Sequence, residues 1–150
     1  MPKQSAGLVI YRVRDGVREF FLVHPGGPFW AKKDEGAWSI PKGEIEGEEE
    51  PLEVARRELA EETGFSVVGP FQPLGTVKLS GGKLIHAFAV VAPDLDPASI
   101  RSNTFEIEWP PRSGLRKQFP EVDRAAWFDG TTAQQKIHPV QAAFLTRVTE

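Results

Sequence analysis

The hydrophobic residues of this chain come in short runs, and most of the runs read as strands. Residues 5–13 carry Leu8, Val9, Ile10, Tyr11 and Val13, and residues 18–24 carry Phe20, Phe21, Leu22 and Val23. Asp15-Gly16 between them is a turn pair, so the two runs predict a hairpin. His24-Pro25-Gly26-Gly27-Pro28 breaks the pattern, and a loop follows through Phe29, Trp30 and Gly36. Residues 37–40 predict a short extended piece stopped by Pro41, and 42–50 a loop rich in glycine and glutamate. Further strands are predicted at 65–68, 74–79, 84–92, 104–109 and 125–128, with a hairpin-type turn at Ser80-Gly81-Gly82-Lys83. Within 104–109, Phe105, Ile107 and Trp109 alternate with Glu106 and Glu108, the pattern of a strand with one wet face. Residues 93–103 and 110–120 read as loops.

Only two stretches carry helical periodicity. Over residues 51–63, Leu52, Ala55 and Leu59 repeat at the spacing of one helix face. Pro51 suits the first helical position, where the N–H has no partner in any case. Glu48, Glu49 and Glu50 stand at the positive end of the helix dipole. Gly64 falls where a left-handed cap ends a helix, and Phe65 can pack back on the last turn. A second helix is predicted over 133–148, capped by Thr131 or Thr132 and disturbed by Pro139. Helices interspersed with many strands on one core predict an α/β layered domain in the mixed α+β sense. Its mixed sheet should have helices on both faces.

Composition narrows the class. At 150 residues the chain fits one domain spanning 1–150. It is 40% hydrophobic and 26% charged, the usage of an ordinary globular protein. There is no cysteine, which rules out disulfides and thiolate metal sites. No apolar run approaches the roughly 20 residues of a membrane helix, and the first residues lack a signal-peptide core. A soluble, cytoplasmic protein without a membrane partner is the expectation. The net charge of −3 argues against a general nucleic-acid binder. It leaves room for a small nucleotide held through a cation, since the metal supplies the local positive charge.

The candidate chemistry lies on the first helix. Glu58, Glu61 and Glu62 stand at i, i+3 and i+4, hence on one face, beside the apolar stripe. Three like charges so close repel each other. A hard divalent cation relieves them, and magnesium prefers oxygen ligands and bridges to phosphates. Manganese suits the same ligands. A solvated glutamate face is the other reading of such a triplet, with Arg57 neutralising part of it through Glu61 and Glu53.

The neighbouring residues favour the metal site. Gly43 is followed after five residues by Glu49. Seven residues later come Arg57-Glu58-Leu59, then Glu61-Glu62, then Gly64-Phe65. This run resembles the Nudix box at every fixed position. Trp38-Ser39-Ile40-Pro41-Lys42-Gly43 is similar to the strand and turn that lead into the box in that family. Ala126-Trp127-Phe128-Asp129 before a C-terminal helix also resembles it. The resemblance implies an α/β/α sandwich and a pyrophosphohydrolase that cleaves a phosphoanhydride in a nucleoside diphosphate linked to another group. It further implies that Glu58, Glu61 and Glu62 bind Mg2+ together with the backbone carbonyl of Lys42. Arg57 and Glu49 match the pair that orients these glutamates.

Other roles stay open at this level. The general base lies within the box or on a loop outside it, where Glu121 is the first candidate, then Glu106 and Glu108. Lys42, Arg112, Arg116 and Lys117 are candidates for phosphate oxygens. Phe29, Trp30 and Trp109 could stack on a base, although aromatic residues serve the core as well. His24, His86 and His138 lack metal-ligand spacing and read as structural or surface residues. Pro41-Lys42-Gly43 is similar to dinucleoside polyphosphate hydrolases, and nucleoside triphosphates, nucleotide sugars and capped RNA ends are the competing substrates. A ligand sensor without turnover is the alternative from another class. Many members of the family dimerise, so a homodimer is a further expectation, with no residue marking an interface.

Overall fold

The computed structural model describes residues 3–149; Met1, Pro2 and Glu150, and the part of the leader reading that falls on the first two, lie outside them. Eight strands and three helices follow one another. β1 (Gln4–Arg14) and β2 (Val17–Pro25) form the expected hairpin, with Ile10 opposite Phe21. β3 is Lys42–Glu44, α1 is Pro51–Thr63, β4 is Gln72–Lys78 and β5 is Leu84–Val91. β6 (Thr104–Glu108) and β7 (Arg116–Pro120) make a separate two-stranded arm. β8 (Val122–Asp129), α2 (Gly130–Lys136) and α3 (Ala142–Thr146) complete the order.

The main sheet runs β4-β5-β1-β2-β8, with β3 joined to β1. β1 pairs parallel with β5 and antiparallel with β2 and β3, so the sheet is mixed. β1 is buried on both sides, which explains why it reads as an unbroken apolar run. Leu8 and Ile10 join Phe21, Val54, Ala55 and Leu59 in the core under α1. Val9 and Tyr11 point the other way, into a core closed by Ala133, Ile137, Phe144 and Leu145. These are the helices on both faces that the sequence predicts.

α1 has the predicted boundaries. Pro51 starts it, and Gly64 ends it at φ 81° with its N–H donated to the carbonyl of Ala60. Val54, Ala55 and Leu59 are its buried stripe, and Leu52 is only partly buried. Fully burying a leucine of this kind contributes about 1.5–3 kcal/mol.

Elsewhere the structure departs from the sequence pattern. Residues 65–68 form no strand. Phe65 and Val67 pack rather than pair, Phe65 meeting Phe21 edge-on with centroids 6.1 Å apart and Val67 being buried, while Val68 is exposed. Residues 42–44, expected as loop, are β3; its register sets Gly43 opposite Ala6. Residues 116–120, also expected as loop, are β7; Arg116, Lys117 and Gln118 are all exposed and only Phe119 is half-buried, against Phe105, so the run carries no alternation. Residues 37–40 make only isolated bridges, Ser39 to Val23 and Trp38 to Ile137. Pro139 does interrupt the last helical stretch, which splits into α2, a 3-10 turn at Pro139–Gln141, and α3. The cap of α2 is Asp129, whose carboxylate accepts the N–H of Thr132, and not Thr131 or Thr132.

Candidate active site

Gly43 makes the site possible. It sits in β3 directly under α1, and a Cβ there would lie 2.1 Å from both Cδ and Oε1 of Glu58. Only glycine lets the Glu58 carboxylate rest on the strand. The apolar stripe of α1 presses the helix onto the sheet, and the glutamates beside it are carried into shelter. Glu62 is buried and the Glu58 side chain is 16% exposed, whereas Glu61 is 38% exposed.

Electrostatics mark the same group of residues. Burial raises the Glu62 carboxyl to about 8, the Glu58 charge adds to this, and the Lys42 ammonium opposes it. Glu121 pushes in the same direction as Glu58, and a backbone hydrogen bond from Lys42 pulls against both. Glu58 rises to about 7, first through burial, then through the charge of Glu61 and a hydrogen bond shared with it. Glu121 is itself raised by burial and by Glu61. Four acidic side chains from α1 and from the turn between β7 and β8 therefore act on one another. Raised carboxyl values caused by burial plus like charges are common at functional sites.

Arg57 offsets part of this charge. Its guanidinium holds Glu49 in a close ion pair and lies 3.7 Å from Glu58 and 3.8 Å from Glu61. Glu49 lowers its own value through that contact and accepts the N–H of Glu46, so it also ties the loop before α1. The expected contact of Arg57 with Glu53 is not made. Glu53 pairs with Arg56 instead, at 3.9 Å, while Arg57 is engaged by Glu49, Glu58 and Glu61.

A cavity of about 200 Å³ opens beside these groups, lined by Val23, Pro25, Ser39, Lys42, Glu62 and Glu121 among others. Of the residues singled out from sequence, Lys42, Glu58, Glu61, Glu62, Arg57 and Glu121 are thus brought together. Arg112, Arg116 and Lys117 are not: they sit on the β6–β7 arm. There Arg116 is paired with Glu106 at 2.6 Å, and Glu108 accepts the backbone N–H groups of Arg112 and Gly114. Glu106 and Glu108 are occupied in shaping the arm, which leaves Glu121 as the outside carboxylate at the cavity. Phe29 and Trp109 meet edge-to-face at 5.5 Å, and Phe29 stays 64% exposed. His24 is fully buried between the Asp123 carboxylate and the Lys33 carbonyl, at 2.9 and 2.7 Å. His86 bonds Gln4, and His138 caps the turn at Pro139.

Among the described residues no three His, Asp or Glu side chains converge on a single metal position. The carboxylates are instead turned to one another and to Arg57 and Lys42. The donor set nonetheless fits a hard divalent cation, being all oxygen, acidic and partly dehydrated. Gly43 and the segment 101–103, whose Asn103 carbonyl accepts the N–H of Glu121, carry no role in the sequence reading. Glycine in the box is visible in the sequence, but the carboxylate it cradles comes from a helix 15 residues on.

Comparison with known proteins places the chain in one family. A family model, the NUDIX domain, matches residues 1–148. An uncharacterized 17.7 kDa protein of Enterobacteria phage T4 is 33% identical over 105 residues, covering 68% of each chain. An RNA pyrophosphohydrolase of Thioalkalivibrio sulfidiphilus is 54% identical over 38 residues, 25% of this chain and 22% of that one. A solved structure of a C. elegans Ap4A hydrolase binary complex superposes with a TM-score of 0.60 at 20% identity, covering 97% of this chain and 93% of the other.

Proposed function

The chain belongs to the Nudix hydrolase family, and on that premise we propose that it cleaves a phosphoanhydride in a nucleoside diphosphate linked to another group, by attack of water at phosphorus. The observation that carries this reading is a cluster of mutually interacting acids, Glu58, Glu61, Glu62 and Glu121, of which Glu62 and Glu121 line one cavity, with Glu58 and Glu62 raised to about 7 and about 8. Sheltered acids that repel one another are poised to release their protons to solvent in exchange for a cation. Glu58, Glu61, Glu62 and the main-chain carbonyl of Lys42 would hold magnesium, with manganese suited to the same oxygens. A divalent cation there supplies charge neutralisation on phosphate oxygens and a more acidic water.

The chain's own groups do the rest. Arg57 and Glu49 keep Glu58 and Glu61 in place. The Lys42 ammonium, already felt by Glu62, is positioned to meet a phosphate oxygen. Glu121 takes the proton of the attacking water, its raised value bringing it nearer to neutral pH than an ordinary carboxylate. Positioning and electrostatics of this kind supply most of the rate in such transfers.

The substrate class favoured is the dinucleoside polyphosphates, from the Pro41-Lys42-Gly43 approach to the box. The reading takes 1–150 as one domain working in the cytoplasm; among the described residues no helix is long and apolar enough to cross a membrane. The test is a panel of dinucleoside polyphosphates, nucleoside triphosphates, nucleotide sugars and 5′-triphosphorylated RNA, with magnesium or manganese, products resolved by chromatography. Turnover that needs the metal and nearly vanishes in Glu62→Gln supports the reading. A Glu62→Gln variant as active as the parent removes it.

A further inference from the structure

The last carbonyls of a helix have no partner within it and must find one outside. In α1 two of them do so in the same short segment. The N–H of Arg101 donates to the carbonyl of Thr63, and that of Asn103 to the carbonyl of Glu61, each at 2.8 Å. The segment therefore lies across the C-terminal end of the helix that carries the carboxylates.

Its other side faces Glu121. The carbonyl of Asn103 accepts the N–H of Glu121 at 2.8 Å, and the Ser102 hydroxyl donates to that same carbonyl at 2.8 Å. Ser102 Oγ in turn accepts the N–H of Val122 at 3.0 Å. From below, the N–H of Gly26 donates to the carbonyl of Glu121 at 2.9 Å. Gly26 comes so close that a Cβ there would lie 1.9 Å from the carbonyl oxygen of Pro120. The backbone of Glu121 is thus held on both of its polar groups.

We propose that residues 101–103 are a positioning strap that registers Glu121 against the carboxylates of α1, with the Ser102 hydroxyl as its side-chain lock. The inference rests on the reading of Glu121 as the base of the proposed hydrolysis. Glu61 and Glu121 are 60 residues apart in the chain, and they lie on separate elements. Asn103 joins them through two successive hydrogen bonds. A base must stand within hydrogen-bond reach of its water, and a displacement of about 1 Å can cost on the order of 100-fold in rate. The strap acts through Glu121, so Ser102 is a positioning residue and touches no substrate.

The experiment is a double-mutant cycle in the full-length protein with magnesium and the panel substrate that the parent turns over fastest. Ser102→Ala is expected to lower kcat by about 10–100-fold while KM stays within about threefold. Ser102→Thr, which restores the hydroxyl, should recover most of the loss. In a Glu121→Gln background, Ser102→Ala should cost less than about twofold more, since residues acting as one unit are not additive. Ser99→Ala, a hydroxyl loss in the same loop that touches only Asp96, is the control and should match the parent. Hydrogen exchange adds a readout without substrate: the amides of Glu121 and Val122 should exchange faster in Ser102→Ala while those of Val54 and Leu59 do not change. Equal losses from Ser102→Ala in both backgrounds, or no change at the Glu121 and Val122 amides, overturn the strap. A fully active Glu121→Gln, by contrast, overturns the base assignment, and the exchange pattern alone then decides whether 101–103 anchors the turn.

Discussion

Gly43→Ala separates the stability of this fold from its chemistry. The added methyl would stand 2.1 Å from Cδ and Oε1 of Glu58 and 2.5 Å from its Cγ, where ordinary contact begins near 3.4 Å. The carboxylate has to retreat by more than an ångström. It can do so, because the clash is with the far end of a flexible side chain and not with backbone. An off-rotamer or displaced glutamate costs about 1 kcal/mol. Replacing glycine at an ordinary φ returns about 0.4–1 kcal/mol by restricting the unfolded chain. The two nearly cancel, so urea unfolding should change by less than about 1 kcal/mol. The chemistry has no such compensation: a carboxylate moved by an ångström lowers kcat/KM by about 100-fold, and magnesium binding measured by calorimetry weakens with it. Because the loss works through one side chain, Gly43→Ala added to Glu58→Gln should cost little beyond Glu58→Gln alone. A Gly43→Ala protein with parental turnover and metal affinity would refute the cradle, and one that unfolds would refute the claim that Glu58 yields first.

The remaining expectations concern charge and packing. Glu62→Gln should abolish most turnover and yet raise metal-free stability near pH 8 by about 1–3 kcal/mol, because it removes a buried charge whose carboxyl is lifted to about 8; thermal melts read this, and a less stable variant would contradict it. In the metal-free parent, stability should fall as pH rises from about 4.5 through 8. Glu58 and Glu62 bind more protons folded than unfolded over that range, and each is charged at a cost above it. Saturating magnesium should flatten or reverse that slope, since cation and proton compete for the same oxygens; parallel melting curves with and without metal would sink the site. Leu59→Ala, at a position with no exposure, should cost about 2–5 kcal/mol in urea melts. It should lower activity only as far as α1 loosens.

The parts of this protein readable from its sequence are those written in one stretch of chain. α1 shows its boundaries through Pro51 and Gly64 and its buried face through Ala55 and Leu59, all local signals. The β1–β2 hairpin is equally local, with Asp15-Gly16 at the turn. β3 and β7 escape because three residues, or five with a single apolar ring among three polar side chains, carry no periodicity; they are strands only by virtue of β1 and β6 beside them. Residues 65–68 fail in the opposite sense. Phe65 and Val67 are apolar because they pack into the core that holds Phe21, and not because they pair. In the site the same division holds. Glu58, Glu61 and Glu62 follow from helical spacing, whereas the arrival of Glu121 depends on a turn 59 residues beyond Glu62.

That division bears on how the site can be built at all. A helix bearing Glu58, Glu61 and Glu62 on one face is poor on its own, and burying Glu58 and Glu62 makes it poorer. The sheet supplies what the helix lacks. Lys42 and Gly43 on β3 bring a positive charge and a space, and Leu59 and Ala55 supply the apolar contact that keeps α1 down on them. Arg57 and Glu49 then neutralise the exposed flank without entering the cavity. The stress left over is the burial of Glu58, Glu62 and Glu121, with the like charges around them second, and neither Arg57 nor Lys42 removes it, since their carboxyls remain raised. A fold that spends stability to hold unrelieved acids at an open cavity gains it back only when something cationic or protic arrives there, and this is why metal-linked stability is a sharper probe of the site than any single substitution in it.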